Sequence, residues 1–167
     1  METEPRHRPE VLRDYEGEGI VVHWEPKLCI HAANCIRALP GVFDPNARPW
    51  ITVHAASADD ISAAIQSCPT GALRYQRTDG APQEMPNVST TIQYLRNGPM
   101  IVRGEIKMLD SNGHVVRSAT RVVLCRCGQS QNKPYCDLSH RAVGFRGRLD
   151  QCTQTAQAPY EPVRPHG

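Results

Sequence analysis

The sequence predicts an α+β chain in two parts: a small α+β unit, then an antiparallel β-platform that ends in a cysteine-rich loop. Three observations carry that reading. Within residues 18–78, short strand-like runs flank segments whose apolar residues recur at helical spacing. Within residues 88–148, alternating runs are joined by turn signals. Each part also holds its own group of cysteines at ligand-like spacing, which suits metal binding better than a disulfide framework.

In the first part, Ile20-Val21-Val22-His23-Trp24 reads as a short strand. Ala32, Cys35, Ile36 and Leu39 then share one helical face by their i, i+3, i+4, i+7 spacing, and Pro40-Gly41 ends that helix. A second helix is signalled by Ser57 as a cap with Asp60 at its third position. Ile61, Ala64, Ile65 and Cys68 line its apolar face, Pro69 stops it, and Ala72-Leu73-Arg74-Tyr75 reads as a closing strand. Residues 79–87 are rich in Pro and Gly and read as a linker.

In the second part, residues 91–95 alternate like a strand and Asn97-Gly98-Pro99 turns the chain. Residues 100–109 follow, with Gly104 inside as a bulge signal. Asp110-Ser111-Asn112-Gly113 is a hairpin turn, and residues 115–124 return to deliver the chain to Cys125. Residues 149–167 read as a polar tail containing Cys152.

The chemistry is concentrated after that last strand. Cys125, Cys127, Cys136 and His140 place three thiols and one imidazole in a short stretch without apolar periodicity. Such a segment cannot hold its shape by burial, and a bound metal group would supply the folding energy. Zinc sites usually use C-x₂₋₄-C pairs. The tighter C-x-C of Cys125 and Cys127 suits adjacent ligands on one iron of a cluster, although zinc can take the same ligand types and a structural zinc site stays open.

This stretch resembles the CDGSH iron-sulfur family, the mitoNEET-like proteins, whose motif is C-x-C-x-x-S/T-x-x-x-P-x-C-D-G-S-H. Cys125, Cys127, Ser130, Pro134, Cys136, Asp137, Ser139 and His140 match it. The resemblance implies that Cys125, Cys127, Cys136 and His140 hold a [2Fe-2S] cluster, on a β-cap that some members pair into homodimers. Leu138 stands where the family has Gly, and a positive φ there would strain the turn.

Cys29, Cys35 and the Cys68-Pro69 pair form the second group. With their flanks, Leu39-Pro40-Gly41-Val42-Phe43-Asp44 and Cys68-Pro69-Thr70-Gly71-Ala72-Leu73, they resemble a single-cluster bacterial ferredoxin over residues 18–78. Those proteins use C-x-x-C-x-x-C and a distant C-P, and Ala32 stands where the second ligand belongs. The resemblance therefore implies a [3Fe-4S] cluster on Cys29, Cys35 and Cys68. The alternative is a [4Fe-4S] cluster whose fourth iron takes water or a side chain such as His31. Cys152 reads as a spare thiol, with service as a fourth ligand open. Three buried free cysteines would be the purely structural reading.

Composition narrows the function. Residues 10–86 carry six Lys/Arg against ten Asp/Glu, and residues 87–150 carry ten against four. Opposite signs suit either two solvated surfaces or two halves that dock. The basic half lacks a nucleic-acid motif or an aromatic stacking platform. No apolar run reaches membrane-spanning length and the first residues form no signal peptide, so a cytoplasmic protein is expected. No phosphate loop, nucleophile elbow or flavin or nicotinamide fingerprint is present, so no enzyme is expected.

The expectation is a two-cluster electron carrier that serves a redox partner protein. Imidazole in place of one thiolate should raise the potential of the second cluster and make it acid-labile. A cluster donor to an apo-acceptor, or a redox or pH sensor, is the alternative.

Overall fold

A computed structural model describes residues 12–148. The architecture is α+β, with two three-stranded antiparallel sheets and short helices. Cys152 and the expected tail lie outside the described residues.

The first sheet has the order β1-β2-β3, from Arg13–Gly17, Ile20–Trp24 and Leu73–Arg77. β2 is central because its inward residues are apolar: Ile20 and Val22 are fully buried. β1 was not legible by period. It is the polar edge, and β2 supplies its pairing from Arg13↔Trp24 to Gly17↔Ile20. Helix α1 spans Asn34–Ala38 and helix α2 spans Ala58–Gln66. Ser57 caps α2 as its sequence predicts, accepting the Asp60 N–H at 3.1 Å, a contact worth about 1 kcal/mol. Ile61 and Ile65 of α2 meet Phe43, Ile51 and β2 in one apolar core.

α1 is shorter than the periodicity predicts. Ala33 takes a left-handed conformation, φ 58, so Ala32 precedes the helix and Leu39 only caps it.

The second sheet has the order β4-β5-β6, from Thr91–Tyr94, Met100–Leu109 and Val115–Leu124. Its register breaks between Arg103 and Ile106, at the bulge that Gly104 signals. Gly104 has φ +140, and a Cβ there would lie 2.5 Å from the Thr90 hydroxyl, so only glycine fits. Val102, Val122 and Val123 are buried, whereas Val115 and Val116, at the far end of β6, are exposed.

The two sheets meet through arginines. Arg121 of β6 donates to the carbonyls of Ile65 at 3.0 Å and Leu73 at 2.8 Å, and it pairs with Glu84. Gly71 has φ +70, and a Cβ there would lie 2.8 Å from the Arg121 carbonyl, so the backbones touch at a glycine. Glu25, 2% exposed, accepts from Arg117 of β6 at 2.8 Å and from Arg74 of β3 at 3.4 Å. The opposite charges of the two halves thus meet in buried pairs rather than only coating two surfaces.

Candidate metal centres

β6 ends at Leu124 and the chain enters the loop of the second centre. The base of the loop is closed like a ladder. Cys125 donates its N–H to the Pro134 carbonyl at 2.8 Å and Cys136 donates to Val123 at 2.9 Å. Ser130, 3% exposed, staples the interior: its hydroxyl donates to the Tyr135 carbonyl at 2.7 Å and accepts the Asn132 N–H at 3.0 Å.

Four donors result, arranged as two pairs. Cys125 and Cys127 hold their sulfurs 3.7 Å apart, and the Cys136 sulfur lies 3.6 Å from His140 Nδ1. Among the described residues, no three His, Cys, Asp or Glu side chains converge in a way that would hold one metal ion. Two such pairs of thiolate and imidazole donors on one loop can hold an iron-sulfur group.

The surroundings act on the thiols in opposite directions. Gln129 N–H faces Cys127 Sγ at 3.5 Å and Leu138 N–H faces Cys136 Sγ at 3.4 Å. Burial pushes the Cys125 thiol up, but the N–H groups of Ser130, Gly128 and Cys127 and the Cys127 thiol outweigh it and lower its pKa. Burial raises Cys136, and the charges of Cys125, Asp137 and Cys127 add to that effect. Burial, then the neighbouring Arg141 charge, lowers His140, which favours the neutral imidazole that binds metal.

Asp137 holds the turn. Its carboxylate accepts the Ser139 hydroxyl at 2.6 Å, the Ser139 N–H at 3.0 Å and the Gln131 N–H at 2.8 Å, which lowers its pKa to about 2. Leu138 lies in the left-handed region, φ 73, as the family glycine implies, and caps the short helix α3, Ser139–Ala142, that carries His140. Arg126, between Cys125 and Cys127, braces the start of the loop against the turn before β5. It donates to the Gly98 and Leu95 carbonyls, both at 2.8 Å, and lies over the rings of Tyr94 and Phe145.

In the first part, Cys29 follows a single 3-10 turn, Cys35 lies in α1 and Cys68 follows α2. Asn34 ties the two segments by donating to the Ser67 carbonyl at 2.8 Å. The three thiols wall one cavity beside Pro69 and Thr70. Burial raises the pKa of Cys29, and the His31 N–H offsets part of that rise. Burial also raises Cys35, and proximity to Cys68 adds to both shifts. The Thr70 hydroxyl lies 3.5 Å from Cys68 Sγ.

Trp24 and Trp50, edge to face with centroids 4.8 Å apart, also line this cavity. The buried Nε1 atoms of both lack an acceptor in the structure. The cavity is therefore short of acceptors, which suits an anionic iron-sulfur group rather than three inert thiols.

The structure thus brings Cys29, Cys35 and Cys68 together, and separately Cys125, Cys127, Cys136 and His140. All six described cysteines are unpaired by disulfides. Sequence reasoning missed Trp24, Trp50, Thr70 and Asn34 as parts of the first site. Thr70, two residues after Cys68, and Asn34, one before Cys35, carried local signals; Trp50 comes from a distant position.

The two sites touch. Asn132 in the second loop donates to the Lys27 carbonyl at 2.8 Å, two residues before Cys29. Tyr135, beside Cys136, packs against the same core as Cys29 and Cys35. Its ring lies under Arg117 at 5.5 Å, the arginine that pairs with Glu25.

Comparisons with known proteins find two family matches along the chain. Residues 15–78 match the family described as divergent 4Fe-4S mono-cluster. Residues 97–141 match the family described as iron-binding zinc finger, CDGSH type. Uncharacterized protein YjdI of Escherichia coli, in strains K12 and O157:H7, is 34% identical over 64 residues, covering 38% of this chain and 84% of YjdI. No helix among the described residues is long and apolar enough to cross a membrane.

Proposed function

Because the chain belongs to the divergent 4Fe-4S mono-cluster family and carries a CDGSH-type iron-binding segment, we propose that this iron-sulfur protein is a two-cluster electron carrier. Cys125, Cys127, Cys136 and His140 would hold a [2Fe-2S] centre. Cys29, Cys35 and Cys68 would hold a [3Fe-4S] or [4Fe-4S] centre. The observation that carries the proposal is the contact between the two ligand loops, made by Asn132 on Lys27 and by Tyr135 in the core that Cys29 and Cys35 share. Two centres on separate surfaces would need no such junction.

The protein's part is to hold donors, exclude water and set potential. The bound clusters supply the one-electron chemistry. One neutral imidazole among three thiolates raises the potential of the second centre relative to an all-cysteine site. Electrons would enter at the first centre and leave at the second towards a redox partner protein. In this reading the protein acts as a carrier rather than as an enzyme.

The test is iron, zinc and acid-labile sulfide per chain on anaerobically purified protein, with EPR before and after dithionite. About five to six irons with matching sulfide, and two distinguishable paramagnetic centres, are expected. About two irons would restrict the redox role to the second centre, and zinc without sulfide would remove it. A second reading, cluster donation to an apo-acceptor, is favoured by the placement of His140 on a four-residue helix that begins at a left-handed leucine. Delivery of iron and sulfide to an apo-ferredoxin, with no oxidation of the donor's remaining centre, would select it.

A further inference from the structure

The three thiols of the first centre leave one corner of a four-iron cluster unserved, and we propose that the imidazole of His31 ligates that fourth iron. The inference rests on the two-cluster reading above and decides between its two nuclearities.

Placement is the first argument. Cys29, Cys35 and Cys68 wall an inner cavity, and Cys29 and Cys35, with Trp24, Trp50 and Ala33, also line an adjoining outer cavity of about 530 Å³. His31 lines the outer cavity beside Cys29 and Cys35. It stands next to Ala32, which occupies the position of the missing thiol.

Backbone conformation is the second. His31 has φ 54 and Ala33 has φ 58, so two residues with a Cβ lie in the left-handed region within one short loop. Such positions are strained for any residue with a Cβ and persist where surrounding structure demands them. Here the demand is visible. Asn34 is tied to Ser67, and Arg37 donates to the Ala32 carbonyl at 2.9 Å and to Asn34 Oδ1.

Elimination is the third. Asn34 and Thr70 also line the inner cavity, but the Asn34 amide is committed to Ser67 and Arg37, and the Thr70 hydroxyl to Cys68 and the Ala72 N–H. Tyr15 lines the outer cavity, but a phenol must lose a proton with pKa about 10 before it binds iron well. The His31 imidazole has no hydrogen bond or ion pair among the described residues. Imidazole already serves iron-sulfur centres as a ligand. Ligation is a lone-pair donation from imidazole nitrogen to iron. It moves no electron between centres and, from the neutral ring, releases no proton.

The experiment uses the full chain, reconstituted anaerobically, as wild type, H31A and H31C. Each is also prepared with H140C and ¹⁵N-histidine, so that the second centre contributes no imidazole signal. Wild type is expected to hold about six irons and to show, when reduced, a four-iron EPR signal with ¹⁵N hyperfine coupling. H31A should lose about one iron and gain an oxidised three-iron signal; H31C should restore the iron without the coupling.

A wild type that shows the three-iron signal, or a four-iron signal without coupling, overturns the His31 assignment and leaves the two-cluster reading standing. About two irons in every variant overturns both.

Discussion

Leu138 is the residue at which sequence and geometry most directly oppose each other. Its φ of 73 is a conformation that a leucine side chain resists, and its N–H must still face Cys136 Sγ while it starts the helix of His140. The left-handed region costs a non-glycine residue about 1–2 kcal/mol, and glycine returns part of that as extra entropy of the unfolded chain. L138G should therefore stabilise the protein by about 1 kcal/mol and slow the loss of the second cluster. Urea midpoints of the loaded protein, with the decay of its visible absorbance, would measure both. An unchanged or lower midpoint would mean that leucine packing outweighs the strain.

At the scale of elements, the end of β3 is locked to α2 and to the turn that follows the strand. Arg77, 6% exposed in its side chain, pairs with Asp59 of α2 at 2.7 Å and with Asp79 at 2.5 Å. The Arg77 guanidinium, with the Ala81 N–H, holds Asp79 down to about 2. A carboxylate whose folded pKa lies below its unfolded value of about 3.9 contributes stability above that value and loses it as pH falls towards 2. Asp137 is lowered to about 2 by the Ser139 hydroxyl and shares the same window.

D79N should lower the thermal midpoint at pH 6 and flatten, without abolishing, its fall between about pH 4 and 2. An unchanged slope would assign the acid sensitivity elsewhere.

Elements whose pattern reports their own environment were the ones legible in the sequence. β5 and β6 show alternation and a turn between them, and the α2 cap is a local bond. β1 was not legible, because the polar run of Arg13-Asp14-Tyr15-Glu16 becomes a strand only by pairing with β2. The true start of α1 was hidden for a related reason: the left-handed Ala33 belongs to the loop around the thiols. The two cysteine groups and His140 stood out in the sequence because spacing is a local feature. The indoles of Trp24 and Trp50 and the Glu25 pairs did not, because their partners lie far along the chain.

For the whole molecule, Glu25 is the group on which the two halves converge. It is nearly inaccessible, its N–H donates to the Ala72 carbonyl at 2.8 Å, and its carboxylate accepts two bonds from Arg117, at 2.8 and 3.3 Å. Four residues after it comes Cys29; under Arg117 lies Tyr135, and next to Tyr135 comes Cys136. One carboxylate thus ties the two halves together beside both ligand loops.

Removing its charge takes a buried counter-ion from Arg117, whose guanidinium still faces the Tyr135 ring. Breaking one partner of a buried pair costs about 3–5 kcal/mol, and the ring places E25Q near the lower end, at about 3 kcal/mol. If the junction serves electron transfer, the same substitution should also weaken the magnetic relaxation that one reduced centre induces in the other, while each centre keeps its own spectrum and iron. Denaturation midpoints and power-saturation EPR on one preparation would read the two effects. A destabilised variant with unchanged relaxation would make Glu25 a structural anchor only. Loss of both together would mean that the pairing of the halves and the coupling of the clusters depend on one contact.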